Sequence, residues 1–218
     1  MIAMILAAGR GERMRPLTDT TPKPLLTVRG APLLDHLIRQ LSDAGFRDIV
    51  INIAHLGAQI RAHLGQGERY GVRIRYSDEG ASGLETGGGI RRALPLLTSD
   101  PFIVVNGDIY TDYAFAQLPL TFPGRAHLVL VDNPPHNRAG DFGLRNGRVT
   151  ETPPRLTFAG IGVYKASLFS GHHEERFPLA PILRAAIAEG AVSGEHYTGF
   201  WTDVGTPERL AELNAGTG

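Results

Sequence analysis

The sequence contains no cysteine, which excludes disulfide bonds and every metal site built on thiolate ligands. It also lacks any apolar run that approaches the roughly 20 residues of a membrane-spanning helix. Neither sign of charge is in excess, because 22 lysines and arginines balance 22 aspartates and glutamates. This balance argues against general binding to nucleic acid or to an anionic membrane. The absence of cysteine is compatible with a reducing cytoplasm, so we expect a cytoplasmic protein that binds neither nucleic acid nor a membrane.

One domain is sufficient for the length and composition of the chain. Its 218 residues are 42% hydrophobic, which is enough to bury a full core. The apolar run at Ile2–Leu6 is short and has no cationic segment before it, so it does not resemble a signal peptide. We predict a single domain over residues 1–218.

In the first half of the chain, apolar strands alternate with helices. Runs such as Ile2–Leu6, Ile49–Ile53 and Phe102–Val105 are typical of buried strands. Apolar residues recur at helical spacing from Leu33 to Leu41, and a further helix that opens with glycines is predicted over Gly87–Leu97. Strands of this kind separated by helices indicate a parallel sheet that is covered on both faces.

The second half of the chain has shorter strands separated by turn residues. Asn146-Gly147 is typical of a hairpin turn, and Thr206 with Pro207 is placed to cap and begin a last helix. The fold class that we predict is α/β, a Rossmann-like three-layer sandwich around a mixed, mostly parallel central sheet. The short strands are His127–Val131, Phe142–Leu144, Arg148–Thr150 and Phe158–Tyr164.

The most informative segment follows the first predicted strand, reads LAAGRGERMRPLT, and has a Pro-Lys-Pro triplet close behind it. Gly9 and Gly11 leave backbone N–H groups bare of side chains at the end of a strand, and such groups bind phosphate oxygens. Arg13 and Lys23 put positive charge beside the same loop. The segment therefore predicts a polyphosphate site.

Other phosphate loops fit this segment less well. The dinucleotide-binding fingerprint needs a third glycine three residues after the second, and Met14 stands there. The Walker loop ends in Gly-Lys-Ser or Gly-Lys-Thr, which this segment lacks. An arginine-rich surface loop without a ligand is the remaining alternative.

The loop and the Pro-Lys-Pro triplet resemble the signature of the sugar-1-phosphate nucleotidylyltransferases. The resemblance extends over essentially the whole chain and implies the nucleotide-diphospho-sugar transferase fold, with a nucleotide-binding half to about residue 110 and a sugar-binding half after it. Glu12 departs from the family, which usually has threonine at this position. The resemblance implies catalytic roles for Arg13 and Lys23, whose charges would act on the phosphates. The implied nucleotide contacts are Gly9, Gly11, Glu12, Arg13 and Lys23.

Two aspartates are candidate metal ligands. Asp108 follows the carboxyl end of a predicted buried strand, where open α/β sheets bind ligands, although Asn-Gly-Asp is also an ordinary turn sequence. Asp203 lies in a Trp-Thr-Asp-Val-Gly segment before the last helix. In the resembling family, an aspartate after glycine and an aspartate in a late Asp-x-Gly segment hold the metal together. The resemblance therefore implies Mg²⁺, which prefers oxygen ligands, between Asp108 and Asp203.

Contacts to the base and the sugar are predicted from smaller patterns. The LETGGG segment from Leu84 resembles the base-recognition turn of the family, although a glycine-rich helix start is common by itself. Asn106 precedes the candidate metal ligand and is placed to reach ribose or sugar. Three later carboxylates suit sugar hydroxyls, and each is also compatible with an ordinary surface position. The candidates are Thr86, Gly87 and Gly88 for the base and ribose, and Asp141, Glu151 and Glu195 for the sugar.

Within the family, segments such as GERMRPLT, LETGGGI and SGEHY resemble uridylyltransferases that act on N-acetylmuramic acid α-1-phosphate in peptidoglycan recycling. This narrower resemblance implies UTP and that sugar phosphate as substrates, and UDP-N-acetylmuramic acid and pyrophosphate as products. The alternatives are a relative that uses glucose or mannose phosphate, a phosphocholine cytidylyltransferase, and a nucleotide-sugar sensor without catalysis. Because the chain ends soon after Asp203, without the extension that larger relatives use for assembly, we expect a monomer.

Overall fold

The computed structural model describes residues 1–80 and 83–216. No helix in these two ranges is both long enough and apolar enough to cross a membrane. The helices are α1 (Leu33–Asp43), α2 (Gly57–Leu64), α3 (Glu85–Ala93), α4 (Leu179–Ala188) and α5 (Pro207–Asn214). The strands are β1 (Ile2–Leu6), β2 (Thr27–Val28), β3 (Ala31–Pro32), β4 (Asp48–Ile53), β5 (Arg73–Asp78), β6 (Phe102–Asn106), β7 (Ile109–Thr111), β8 (Ala126–Val131), β9 (Phe142–Arg145), β10 (Arg148–Thr150), β11 (Arg155–Tyr164), β12 (Val192–Tyr197) and β13 (Trp201–Asp203).

The main sheet has the strand order β5-β4-β1-β6-β11-β8-β12-β10-β9. The predicted mixed sheet is confirmed, but it is mostly parallel only in the first half of the chain. Within the described ranges, four neighbouring strand pairs are parallel and four are antiparallel. The predicted Asn146-Gly147 hairpin turn accounts for one of the antiparallel pairs, β9 with β10, because strands joined by so short a connection can only pair antiparallel.

The two faces of the sheet pack against different helices. Along β1, Ala3 and Ile5 belong to a core cluster with α1 and α2, whereas Ile2 and Met4 belong to a cluster with α3 and α4. This alternation follows from the period of two residues in a strand. Side chains on both faces of β1 are therefore buried, as the continuous apolar run predicted.

One predicted helix is shorter than expected. The sequence predicted a helix over Gly87–Leu97, whereas α3 begins at Glu85 and ends at Ala93, followed by a 3-10 turn at Leu94–Leu96. Pro95 explains the earlier end, because proline has no N–H for the helical hydrogen bond and its ring clashes with the preceding turn.

The carboxyl ends of β5, β4, β1 and β6 meet at one edge of the sheet, because these four strands are parallel. Gly107, which follows β6, donates its N–H to the carbonyl of Leu6 at 2.9 Å. A Cβ at Gly107 would lie 2.5 Å from that carbonyl oxygen, so only glycine permits this approach. The pair β7 and β13 forms a separate small sheet, which places Asp203 opposite Ile109.

Candidate active site

A cavity of about 790 Å³ lies at this carboxyl edge of the parallel strands. The loop after β1, the ends of β4 and β6, and the segment that begins α3 form its walls. Eight of the site residues predicted from the sequence line it: Gly9, Gly11, Glu12, Arg13, Lys23, Thr86, Asn106 and Asp108.

The two glycines of the loop after β1 serve different purposes. Gly11 has a φ of +64°, and a Cβ there would lie 2.9 Å from the side chain of Thr18. The carbonyl of Gly11 accepts hydrogen bonds of 2.8 Å from the Met14 N–H and from the Thr18 hydroxyl, which fold the loop back on itself. By contrast, a Cβ at Gly9 would have no described atom within 4 Å. Gly9 therefore keeps the backbone open to a ligand, while Gly11 shapes the loop.

Lys23 and Asp108 form an ion pair and hydrogen bond in the wall of the cavity, between Nζ and Oδ2. The lysine is only 9% exposed, whereas about a third of the Asp108 side chain is exposed. Burial strengthens such a pair, because water screens it less. The ammonium group is thus held at a defined position beside the glycine loop, where it can neutralise an anionic ligand.

The arginines of the loop separate into two groups. Arg13 is exposed and lines the cavity. Arg15 instead pairs with Asp19 at 3.2 Å, and both of these side chains are about half exposed or more. Arg10 also lines the cavity, so the structure supports Arg10 and Arg13, rather than Arg15, as phosphate contacts.

Backbone pairing brings the second predicted metal ligand next to the first. The N–H of Val204 donates to the carbonyl of Asp108 at 2.7 Å, so Asp203 lies one residue from that contact. Asp203 Oδ1 accepts a hydrogen bond from Arg209 at 2.5 Å and lies 2.8 Å from His136 Nε2. Its Oδ2 lies beside Gly205, which lines the cavity. The backbones of the two residues are thus neighbours, although the Asp203 side chain is held by Arg209 and His136 and is not among the described residues that line the cavity.

The glycines at the start of α3 have a packing role that the sequence did not reveal. Gly87 and Gly88 are buried, and a Cβ at these positions would lie 2.4 Å from the Phe177 ring and 2.3 Å from the Glu175 carbonyl oxygen. The Gly88 N–H also donates to the Phe177 carbonyl at 3.1 Å. The sequence predicts base and ribose contacts at these two glycines, whereas close packing against the chain segment around Phe177 already requires both positions to lack a side chain. Thr86, just before them, does line the cavity.

Several cavity residues were missed by the sequence analysis. Glu85 has a φ of +60°, which is unusual for a residue other than glycine, and it forms an ion pair of 3.3 Å with Arg176. Both residues line the cavity, as do Asn52 and Glu79 at the ends of β4 and β5. Glu85 lies in the LETGGG segment but was not predicted as a contact, and no motif marks the other three residues. Asn52 and Glu79 could have been predicted from their positions at the ends of parallel strands. Nothing in the sequence places Arg176 beside Glu85.

Two of the predicted sugar contacts, Asp141 and Glu151, bind other residues of the same chain. Asp141 Oδ2 accepts hydrogen bonds from the Phe158 N–H at 2.8 Å and from the Asn137 amide at 3.2 Å. Glu151 Oε2 pairs with Arg184. Neither carboxylate is among the described residues that line the cavity of Lys23 and Asp108.

The third predicted sugar contact, Glu195, is also engaged by the protein. Tyr113 donates its hydroxyl to Glu195 Oε1 at 2.5 Å, and His127 Nε2 lies 3.5 Å from Oε2. Hydrogen bonding to His127, and then to Tyr113, holds the pKa of Glu195 below its ordinary value. Like Asp141 and Glu151, Glu195 is absent from the described lining of the cavity.

A second cavity, of about 370 Å³, opens where β8 and β12 end. These strands run parallel to each other, and β8, like β6, pairs antiparallel with β11. The second cavity therefore lies at the same edge of the sheet as the first. Aromatic side chains and Arg209, the partner of Asp203, form part of its wall. Tyr197, Phe200 and Trp201 are the aromatic residues.

Comparisons with known proteins identify relatives of the chain. The sequence model of the nucleotidyl transferase family matches residues 2–217. The chain is 52% identical to N-acetylmuramate alpha-1-phosphate uridylyltransferase from Neisseria meningitidis, over 99% of this chain and 97% of that protein. It is 35% identical to the protein of the same name from Caulobacter vibrioides, over 97% of each.

A solved structure supports the fold. The chain superposes with a TM-score of 0.83 on a putative glucose-1-phosphate thymidylyltransferase from Bacillus anthracis, over 99% of this chain and 94% of that one. The two sequences are 23% identical, so the likeness concerns the fold alone.

Proposed function

The chain belongs to the nucleotidyl transferase family, and we propose that it transfers UMP from UTP to N-acetylmuramic acid α-1-phosphate. The products are UDP-N-acetylmuramic acid and pyrophosphate, and the reaction serves peptidoglycan recycling. The observation that carries the proposal is the placement of Lys23 against Asp108 in a cavity lined by the glycine loop. The names of the two relatives support the choice of UTP and of the muramic acid sugar.

The proposed reaction depends on neutralising the negative charges of the two reactants rather than on proton transfer. An oxygen of the sugar phosphate forms a bond to the α-phosphorus of UTP, while the bond to the pyrophosphate oxygen breaks and that oxygen takes the electron pair. The attacking oxygen is already ionised, so no general base is required. Both reactants are anions, and their repulsion is the main barrier. Lys23 is placed to neutralise the reacting phosphates, and Arg13 is placed to stabilise the departing pyrophosphate.

Asp108 and Asp203 would hold a divalent cation, which we propose to be Mg²⁺. The donor chemistry fits, because both residues offer carboxylate oxygens and the backbone of Val204 keeps them adjacent. Asp203 Oδ2 lies beside Gly205 in the lining, while Oδ1 is held by Arg209. When bound, the cation supplies positive charge that neutralises phosphate oxygens.

Base and sugar contacts complete the proposal. Thr86, with Gly87 and Gly88 behind it, is proposed to contact the base and ribose, and Asn106 the ribose or sugar. The position of Thr86 and Asn106 in the cavity lining supports these roles. Contacts from the later carboxylates stay predictions, as do the cytoplasmic location, the monomeric state and the three-layer arrangement. The later carboxylates are Asp141, Glu151 and Glu195.

A substrate panel tests the proposal. Purified protein with Mg²⁺ is given UTP, CTP, GTP or dTTP together with muramic acid, glucose or mannose phosphate, or phosphocholine, and pyrophosphate release is measured. We expect UTP with N-acetylmuramic acid α-1-phosphate to give the highest kcat/KM, by roughly tenfold or more. Equal turnover of glucose 1-phosphate would contradict the proposed sugar. Nucleotide binding without pyrophosphate release from any pair would favour the sensor.

A further inference from the structure

We infer that Tyr113 is a positioning residue, whose hydroxyl group helps to fix the small sheet that carries both candidate metal ligands. The inference rests on the proposed function, because it takes Asp108 and Asp203 to hold the divalent cation. Tyr113 lies outside the described lining of both cavities, so it would act through the two aspartates rather than by contact with a substrate.

The small sheet of β7 and β13 stands apart from the main sheet, and each of its strands has three residues. Asp108 directly precedes β7, and Asp203 is the last residue of β13, so both aspartates belong to one end of this sheet. An isolated ribbon of two strands is at best marginally stable in water. Contacts with the rest of the protein must therefore fix its position.

The end that carries Asp108 is fixed by the backbone, since the preceding Gly107 donates its N–H to the Leu6 carbonyl. About this end, the small sheet could still turn as a unit. Paired strands lie about 4.8 Å apart, so a turn of about 20° around β7 would move β13 by roughly 1.7 Å. Mg²⁺ requires near-ideal geometry at about 2.1 Å from its ligands, so such a movement would separate Asp203 from a cation on Asp108.

Side chains hold the small sheet against its neighbours on several sides. Gln40 of α1 donates its amide N–H to the Thr111 carbonyl at 2.7 Å, and Trp201 donates its indole N–H to a carbonyl of β11 at 2.9 Å. On the side of α5, Arg209 contacts Asp203 itself. The side that faces β12 is held through a tyrosine.

This tyrosine, Tyr113, lies two residues after β7, at the end of the small sheet opposite the aspartates. Its hydroxyl donates to Glu195 Oε1 at 2.5 Å, and the residue is only 2% exposed. Its N–H donates to the Thr111 hydroxyl at 3.1 Å, which in turn donates to the Phe200 carbonyl at 2.7 Å, so the contact is connected to both strands. Burial, and then the hydrogen bond to Glu195, raises the pKa of the Tyr113 hydroxyl, which therefore stays protonated and donates.

Tyr197 makes the reciprocal contact from β12, because its hydroxyl donates to Asp112 at the same end of the small sheet. The rings of Tyr113 and Tyr197 pack edge to face, with centroids 5.0 Å apart. The contact of Tyr197 with Asp112 is exposed, so water can replace a lost partner there. The buried hydroxyl of Tyr113 therefore contributes the larger share of this hold.

The test measures the binding of Mn²⁺, as a probe of the cation site, to the protein without nucleotide. Tyr113→Phe keeps the buried ring and removes the hydroxyl. Electron paramagnetic resonance gives the Kd of Mn²⁺, and Asp203→Asn identifies the site, because binding there depends on that carboxylate. We expect Tyr113→Phe to raise this Kd roughly fivefold or more, and Tyr197→Phe to raise it less. The sequence contains one tryptophan, so the fluorescence of Trp201 reports on β13 directly and should shift in Tyr113→Phe before any cation is added.

Two further variants are the controls. Tyr70→Phe also removes a hydroxyl hydrogen bond from a buried tyrosine, which lies between α2 and β5 and is bound by Arg69. It should lower thermal stability and leave the Kd of Mn²⁺ within about twofold of wild type. Glu195→Gln keeps a carbonyl oxygen that can accept from Tyr113, so its Kd should stay within about threefold.

Three outcomes distinguish the inference from its alternatives. Wild-type affinity for Mn²⁺ in Tyr113→Phe would overturn the positioning role. An equal loss of affinity in Tyr70→Phe would overturn it as well, because the effect would then follow from stability alone. If Asp203→Asn binds Mn²⁺ as wild type does, the proposed metal site fails, and this failure is separate from that of Tyr113.

Discussion

The two halves of the main sheet differ in how they use polar residues near strand ends. In the half formed by β5, β4, β1 and β6, polar residues such as Asn52 and Asp108 line one shared cavity. In the half formed by β11, β8, β12, β10 and β9, Asp141 and Glu195 are engaged by protein partners. Parallel strands place all their carboxyl ends at one edge, whereas antiparallel strands alternate between edges. Position after a strand therefore predicts the cavity of Lys23 and Asp108 in the first half, whereas the carboxylates predicted as sugar contacts in the second half are held by the protein.

Removal of the buried ammonium group of Lys23, in the first half, is expected to have the largest effect on activity. Lys23→Ala should lower kcat/KM by roughly 10³-fold or more, because an ammonium group near the reacting phosphates is lost and Asp108 keeps an unpaired charge. Steady-state pyrophosphate release measures the change. Arg15→Ala is the control from the same loop, and its exposed pair with Asp19 predicts less than about a twofold effect. Equal effects of the two variants would contradict the assignment of Lys23.

The contrast between Lys23 and Arg15 shows how much of the site could be predicted from the sequence. The glycine loop, Lys23 and Asp108 were identified because motif spacing and the carboxyl ends of buried strands both point to one edge. The confirmed strands and helices of the first half follow from strong apolar periodicity. Within that half, the sequence located eight of the residues that line the cavity.

Other features could not be obtained from the sequence. The strands β7 and β13 have three residues each, too few for a pattern, yet their pairing brings Asp203 beside Asp108. The pair of Glu85 with Arg176 depends on two segments that meet only in the folded chain. Gly88 looked like a ligand contact, because a missing side chain does not show whether a ligand or the protein fills the space.

Substitution of one carboxylate in each half of the sheet compares the two halves directly. Asp108→Asn should lower kcat by roughly 10²-fold or more, since it loses a charge at the reacting centre. Glu195→Gln should change KM for the sugar phosphate by less than about threefold, because its carboxylate is held by Tyr113 and His127. Full kinetics with both substrates varied separate kcat from KM. A rise in that KM of tenfold or more for Glu195→Gln would support the sugar contact predicted from the sequence.

The packing role of the α3 glycines predicts a smaller effect, on stability. Gly88→Ala places a methyl group 2.3 Å from the Glu175 carbonyl oxygen, so the helix or the neighbouring segment must move. We expect the free energy of unfolding to fall by about 1–3 kcal/mol, measured by urea denaturation without nucleotide. Wild-type stability in this variant, with weakened UTP binding, would show that the ligand rather than the protein requires Gly88.

The smallest predicted effect is a pH dependence of stability, which arises from Glu195 in the second half of the sheet. The pKa of Glu195 lies below its ordinary value of 4.5, because His127 and Tyr113 stabilise the ionised carboxylate. The unfolded state therefore binds more protons than the folded state just below pH 4.5, so stability falls as the pH drops through the folded pKa. Urea denaturation from pH 6 to about pH 3 should show a shallower loss for Glu195→Gln than for wild type. Parallel curves would contradict this contribution.

The most direct test is a crystal structure of the protein with Mg²⁺ and a non-hydrolysable UTP analogue. We predict the triphosphate beside Gly9, Arg13 and Lys23, and a cation about 2.1 Å from carboxylate oxygens of both Asp108 and Asp203. A nucleotide bound outside this cavity, or a cation that contacts neither aspartate, would contradict the assignment of the site.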